Sequence, residues 1–144
     1  IIDEGQKMGT EQIEVIRTLL NFETNSRKLI QVVIFAQPEF KEVVASHENF
    51  KDRIAFGATI PALDREDTIS FVDFRINEAG YEGDEPLFSQ EAKEMIYQHT
   101  GGYPRKIVNM CHHLIVDMLV YNNKSVDGAA VLNRINSDDN NYAG

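Results

Sequence analysis

Leu29-Ile30-Gln31-Val32-Val33-Ile34-Phe35-Ala36 is a near-continuous apolar run, rich in β-branched side chains, that stops at Gln37-Pro38. Such a run is the pattern of a strand covered on both faces, as in a parallel α/β sheet. A second piece of the same kind opens the chain. In Ile1-Ile2-Asp3-Glu4 two branched aliphatics are followed at once by two carboxylates. This reads as the end of a buried parallel strand, where side chains leave the core and enter a site. A parallel strand normally runs about five or six residues, so the expectation is that this strand is cut in its middle and that the chain is a piece of a longer protein. Between the two strands, Thr10 to Phe22 reads as a helix. Thr10 is its expected N-cap, and Ile13, Ile16, Leu19 and Leu20 form one apolar stripe. Glu23 to Arg27 is a polar break. Short helical pieces are expected near Glu39 to Ala45 and Phe50 to Phe56, and a further short strand over Ala58 to Ala62.

From Asp64 onward the pattern becomes helical throughout. Asp64 or Asp67 can cap a helix carrying Ile69, Val72, Ile76 and Ala79 that stops at Gly80. Ser89 is a second N-cap, with Ala92, Met95 and Ile96 behind it and Gly101-Gly102 at the end. Pro104 opens a long helix, where its missing N–H costs nothing. The expected core face of that helix is Ile107, Cys111, Leu114, Ile115, Met118 and Leu119. A last helix is expected over Asp127 to Ile135. The fold class is therefore α/β followed by all-α: an α/β part over residues 1–63, a helical part over 64–136, and a polar, acidic stretch at 137–144 expected to be disordered.

The 144 residues carry a net charge of −9, spread evenly along the chain, and no basic footprint of the kind that nucleic-acid binding uses. No apolar run approaches the roughly 18 residues of a membrane span. The single cysteine, Cys111, excludes an internal disulfide and a Cys-based zinc site and fits a reducing compartment. His112 and His113 are adjacent, so on a helix they point about 100° apart and do not chelate one ion together.

Asp3-Glu4 is the strongest chemical signal, because ligands of open α/β sheets bind at the carboxyl ends of the strands. Two adjacent carboxylates there can divide nucleotide hydrolysis, the first holding Mg²⁺ and the second polarising the attacking water. An ordinary strand-to-helix turn is the plain alternative. Gln37 follows its strand directly, where a neutral amide could hold a water or a γ-phosphate oxygen; a loop amide bonding to backbone is the alternative. Arg53, in Phe50-Lys51-Asp52-Arg53-Ile54, and Arg105, in Gly101-Gly102-Tyr103-Pro104-Arg105, are guanidinium groups in structured contexts that suit phosphate charge. Singly, each also fits a surface ion pair. The chain contains no Gly-x-x-x-x-Gly-Lys-Ser/Thr phosphate loop, so these residues make half a site.

Taken in order, Ile1 to Gln6, Leu19 to Thr24, Lys28 to Phe40, Asp52 to Ile54, Ile60 to Leu63, Ala79 to Tyr81 and Thr100 to Cys111 resemble the C-terminal two-thirds of an AAA+ ATPase. The resemblance runs from residue 1 to about 135 and is closest to the general secretion pathway protein A (ExeA) and pilus-biogenesis ATPases. Its specific combination is Asn-Phe-Glu-Thr (21–24), Gln-Pro-Glu (37–39) and Gly-Tyr-Pro-Arg-Lys-Ile (102–107). It implies a partial P-loop NTPase sheet with a helical lid. Asp3 and Glu4 would be the Walker B pair, with Asp3 on the Mg²⁺ side and Glu4 the catalytic base. Gln37 would be sensor 1, Arg53 the arginine finger acting on a neighbouring subunit, and Arg105 the sensor 2 residue of the lid, touching the nucleotide. Gly5 stands where that family usually has alanine, and Gly57 where a second arginine is often found.

The resemblance further implies an intact parent that hydrolyses ATP with Mg²⁺ as a homo-oligomer on the cytoplasmic side of the inner membrane. It would drive the assembly of a secretion or pilus machine through contacts with that machine's proteins. The chain alone is expected to be inactive and to bind neither ATP nor Mg²⁺ tightly. Two other readings stand beside this one. An AAA+ ATPase of DNA transposition is disfavoured by the net charge and by Gln37-Pro38-Glu39, and a non-catalytic helical interaction module would use its acidic pairs only as solvated faces.

Overall fold

A computed structural model describes residues 1–24 and 26–142. The chain forms two compact units, Ile1–Thr59 and a second beginning at Ile60, whereas the sequence changes character after residue 63.

In the first unit a 3₁₀ turn, Gly5–Lys7, precedes α1 (Thr10–Leu19). Gly9, not Thr10, occupies the N-cap, and Gln12 Oε1 accepts from its N–H at 2.9 Å. That is half of a capping box, since glycine has no side chain to return the bond. Ile13 and Ile16 of α1 pack with Phe50, and Ile2, Val32, Ile34, Phe40, Val43 and Val44 close around them. A hairpin of β1 (Glu23–Thr24) and β2 (Arg27–Lys28) follows α1. Next come two short helices, α2 (Phe40–Ala45) and α3 (Glu48–Lys51). The apolar run 29–36 forms a single parallel bridge, Ile2 to Ile34. Ile2 donates to Val33 O and accepts from Phe35 N, both at 2.8 Å. Burial along the run alternates. Ile30, Val32 and Ile34 are half-buried, while Leu29, Val33 and Phe35 are 49–58% exposed. The run is therefore covered on one face among the described residues, not two. A ladder needs a partner of its own length, and Ile2 supplies only one bridging residue. Residues 58–62 form no strand, and no backbone hydrogen bond reaches them among the described residues; the next residue, Leu63, donates to Gly102 O.

The second unit is four helices: α4 (Arg65–Glu78), α5 (Gln90–Thr100), α6 (Pro104–Val120) and α7 (Gly128–Tyr142). Asp64, one of the two candidates in the sequence, caps α4 through Asp67 N, and Ser89 caps α5 through Ala92 N as expected. Val72, Phe88, Ala92, Ile96, Ile107, Met110, Leu114, Val126 and Val131 form the core. Met110 belongs to it, whereas Leu119, expected there, is 68% exposed near the end of α6. Lys93 is buried but meets both Asp73 carboxylate oxygens at 2.9 and 2.8 Å, which supplies the paired charge its burial requires. Residues 137–142, expected to be disordered, continue α7; Arg134 pairs with Asp138 one turn on, as i,i+4 partners do. Ala143 and Gly144 lie outside the described residues. Among the described residues no helix is long and apolar enough to cross a membrane.

Three tests follow from this packing. Gly102 has φ +75°, and a Cβ there would meet Leu63 O at 1.9 Å, so Gly102→Ala should cost about 3 kcal/mol of stability in denaturant titrations. A Cβ on Gly5 would meet Ile34 Cγ2 at 2.4 Å and Ala36 Cβ at 3.2 Å. Gly5→Ala should therefore cost about 1–2 kcal/mol and speed hydrogen exchange at the Phe35 amide. Burial pushes the Cys111 thiol up to about 12. Because the thiolate is the reactive form, iodoacetamide at pH 8 should label the folded chain at least ~100-fold more slowly than the denatured chain.

Candidate functional site

The Ile2–Ile34 bridge brings two chain ends into register. Asp3-Glu4 leaves one strand segment as Ala36-Gln37 leaves the other, on the same edge. Asp3, Glu4, Gln6, Phe35, Ala36, Gln37 and Pro38 line one open depression of ≈ 280 Å³ there. The structure thus brings together Asp3, Glu4 and Gln37, three of the residues singled out from the sequence, and all three are exposed.

The turn between the segments is tight. Gly5 is buried and donates to Phe35 O at 2.9 Å, and this close approach is possible because it has no Cβ. Glu4 immediately before it has φ 59° and ψ 38°. A left-handed backbone at a residue with a Cβ costs about 1–2 kcal/mol, and such strain concentrates at functional positions. Asp3 Oδ1 accepts from Glu4 N at 2.8 Å, which offsets part of that cost and leaves the second Asp3 oxygen available. Glu4 Oε2 accepts from Gln6 Nε2 at 2.9 Å and pairs with Lys7 Nζ at 3.2 Å. Gln6 Oε1 in turn accepts from Gln37 N at 3.0 Å. Gln6 carries no signal in the sequence, because its second partner is 31 residues away.

Chemically, the edge offers two carboxylates and an amide. Mg²⁺ is usually held by one or two carboxylates together with waters and substrate phosphates, and Asp3 with Glu4 fits that demand. No group of three or more His, Cys, Asp or Glu residues forms a metal cage among the described residues.

The two arginines lie elsewhere in the chain. Arg53 is exposed in the turn after α3 and does not line the depression. The Glu23 carboxyl is held below its usual range chiefly by its hydrogen bond to Lys28, then by the Lys28 charge, with a smaller contribution from the Arg53 guanidinium. Arg105 belongs to the second unit, in the first turn of α6. It is exposed and makes no ion pair among the described residues. That turn holds Arg105 and Lys106 and no acid, so their charges add to the positive end of the helix dipole where an acid would usually sit. Lys106 lies 5.3 Å from the Tyr103 ring centroid, a cation–π contact. His112 and His113 are both exposed on α6, and His113 Nδ1 lies 3.3 Å from Arg134 Nη2.

No protein-family model matches the chain, and no solved structure matches it. Over 118 residues the chain is 30% identical to the general secretion pathway protein A of Aeromonas hydrophila. The match covers 81% of this chain and 21% of that protein, so the chain spans about a fifth of the relative's length. The chain is thus similar to one stretch of a secretion-pathway protein.

Proposed function

We propose that this chain is the Walker B-to-sensor 2 part of an AAA+ ATPase that hydrolyses ATP to drive the assembly or operation of a bacterial secretion or pilus machine. The observation that carries the reading is the parallel pairing of Ile2 with Ile34, which puts Asp3, Glu4 and Gln37 on one edge. The likeness to a general secretion pathway protein A supports the choice of machine.

On this reading Asp3 holds Mg²⁺ directly or through water, and Mg²⁺ supplies charge neutralisation at the transferring phosphoryl group. Glu4 takes up the proton of the attacking water, its carboxylate hydrogen-bonded by the Gln6 amide. The Gln37 amide orients that water or a γ-phosphate oxygen without adding charge to an edge that already carries two carboxylates. Arg53, exposed and clear of its own depression, serves the nucleotide of a neighbouring copy. Arg105 contacts phosphate from the lid, its charge adding to that of the α6 N-terminus. A phosphate loop supplied from outside these 144 residues completes the site, and the chain by itself turns over no ATP.

The test uses the intact protein that joins this chain to a Gly-Lys phosphate loop, with turnover followed by phosphate release. Glu4→Gln should lower kcat by about 10²–10⁴-fold while nucleotide binding persists. Arg53→Ala should lower it by about 10³-fold or more. Mixing the two variants should restore activity at mixed interfaces, because each supplies the group the other lacks. Turnover unaffected by Glu4→Gln defeats the catalytic assignment, and two inactive variants that fail to complement defeat the action of Arg53 in trans.

A further inference from the structure

Gln6 spends both ends of its amide on the acidic edge. Its Nε2 donates to Glu4 Oε2 at 2.9 Å, and its Oε1 accepts from the backbone N–H of Gln37 at 3.0 Å. The side chain is half-buried and lines the same depression as Asp3, Glu4 and Gln37. Neither contact is a by-product of secondary structure. Gln6 lies within the 3₁₀ turn Gly5–Lys7, whose closing backbone bonds run from Lys7 N to Glu4 O and from Met8 N to Gly5 O. Gln37 lies 31 residues away, at the start of the turn in which Phe40 N donates to Gln37 O.

A carboxylate on a left-handed residue in an exposed turn has several rotamers to choose from, and a general base must sit within hydrogen-bond reach of its water. Lys7 gives little fixation. Its pair with Glu4 spans 3.2 Å between side chains 75% and 49% exposed, the class of ion pair that contributes least. The Gln6 amide is the directional contact, and it is anchored to the other strand segment. The geometry points to Gln6 as a clasp: a positioning residue that holds the Glu4 carboxylate in register with the Gln37 backbone, so that base and sensor move as one body. The clasp rests on the catalytic reading of Glu4, since without it the contact would only brace a turn.

The donor and acceptor ends can be separated by substitution. Gln6→Ala removes both. Gln6→Glu keeps an acceptor for the Gln37 N–H, but replaces the donor facing Glu4 with a second negative charge. Hydrogen exchange on this chain reads the acceptor end: the Gln37 amide should exchange several-fold faster in Gln6→Ala and stay protected in Gln6→Glu. Turnover in the intact protein reads the donor end. Gln6→Ala should lower kcat about tenfold with KM for ATP unchanged, since misplacing a reacting group by an ångström is enough for such a loss. Gln6→Glu should lower kcat at least as far with KM for ATP again unchanged, because it removes the amide donor facing Glu4 and puts a second negative charge in its place. A brace that only stabilised the fold would lower Tm and leave kcat unchanged at temperatures where both variants stay folded. Exchange at Gln37 unchanged in Gln6→Ala overturns the clasp. So does a kcat unmoved in both Gln6 variants when Glu4→Gln abolishes turnover. Turnover that survives Glu4→Gln overturns the reading beneath the clasp, and the clasp with it.

Discussion

Ile2 exchanges two backbone hydrogen bonds with the segment Val33–Phe35, and Gly5 adds a third to Phe35 O. The placement of Asp3, Glu4 and Gln37 follows from these three bonds. In a parallel pair the side chains that leave the sheet do so at the same end, so two stretches more than 30 residues apart deliver their polar termini to one place, where the Gln6 side chain then ties them together. The apolar residues below explain why the pairing forms. Ile2, Val32 and Ile34 pack on Ile13, Ile16 and Phe50, and burying several such side chains, at roughly 1.5–3 kcal/mol each, outweighs the strained backbone at Glu4. Acidic and amide groups can then remain exposed in fixed positions because an apolar layer beneath them holds the chain.

Legibility followed the range of the interactions involved. Ser89 and Pro104 announced helix starts because caps and first-turn prolines act within three or four residues, and the structure uses both as expected and chooses Asp64 over Asp67 for α4. Asp3, Glu4 and Gln37 were visible as strand-end residues, because an apolar run followed by polar residues is also a local pattern. What the sequence left hidden depended on distant partners. Thr10 has the better capping side chain, yet Gly9 is the N-cap, held by Gln12. Leu119 lies on the apolar stripe of α6, but the core ends near Met118, so its side chain faces water. The apolar run 29–36 has the composition of a doubly covered strand, and the described chain covers one side of it. Gln6 was invisible because a glutamine in a turn has no pattern until its second partner is located.

The charge balance of the acidic edge constrains what it can do. The contacts around Asp3 and Glu4 include one cation, Lys7, itself 75% exposed. A polyphosphate approaching this edge would meet two carboxylates in a chain of net charge −9, and like charges at short range repel by kilocalories once water is displaced. The edge therefore suits a base and a metal ligand and does not suit a phosphate cradle. Positive charge must come from a divalent ion, from a phosphate loop or from guanidinium groups delivered from elsewhere. On the proposed reading, Arg53 and Arg105 supply those guanidinium groups. Both are exposed, and Arg105 spends its charge on no carboxylate among the described residues. Arg53 lowers the Glu23 carboxyl less than Lys28 does. A guanidinium left in water costs little where it stands and keeps its full pairing capacity for an incoming phosphate. On the proposed reading, the division of the chemistry between acids and arginines makes hydrolysis conditional. The carboxylates alone repel the substrate, the arginines alone bind charge without a base, and turnover requires an assembly that brings both to one nucleotide.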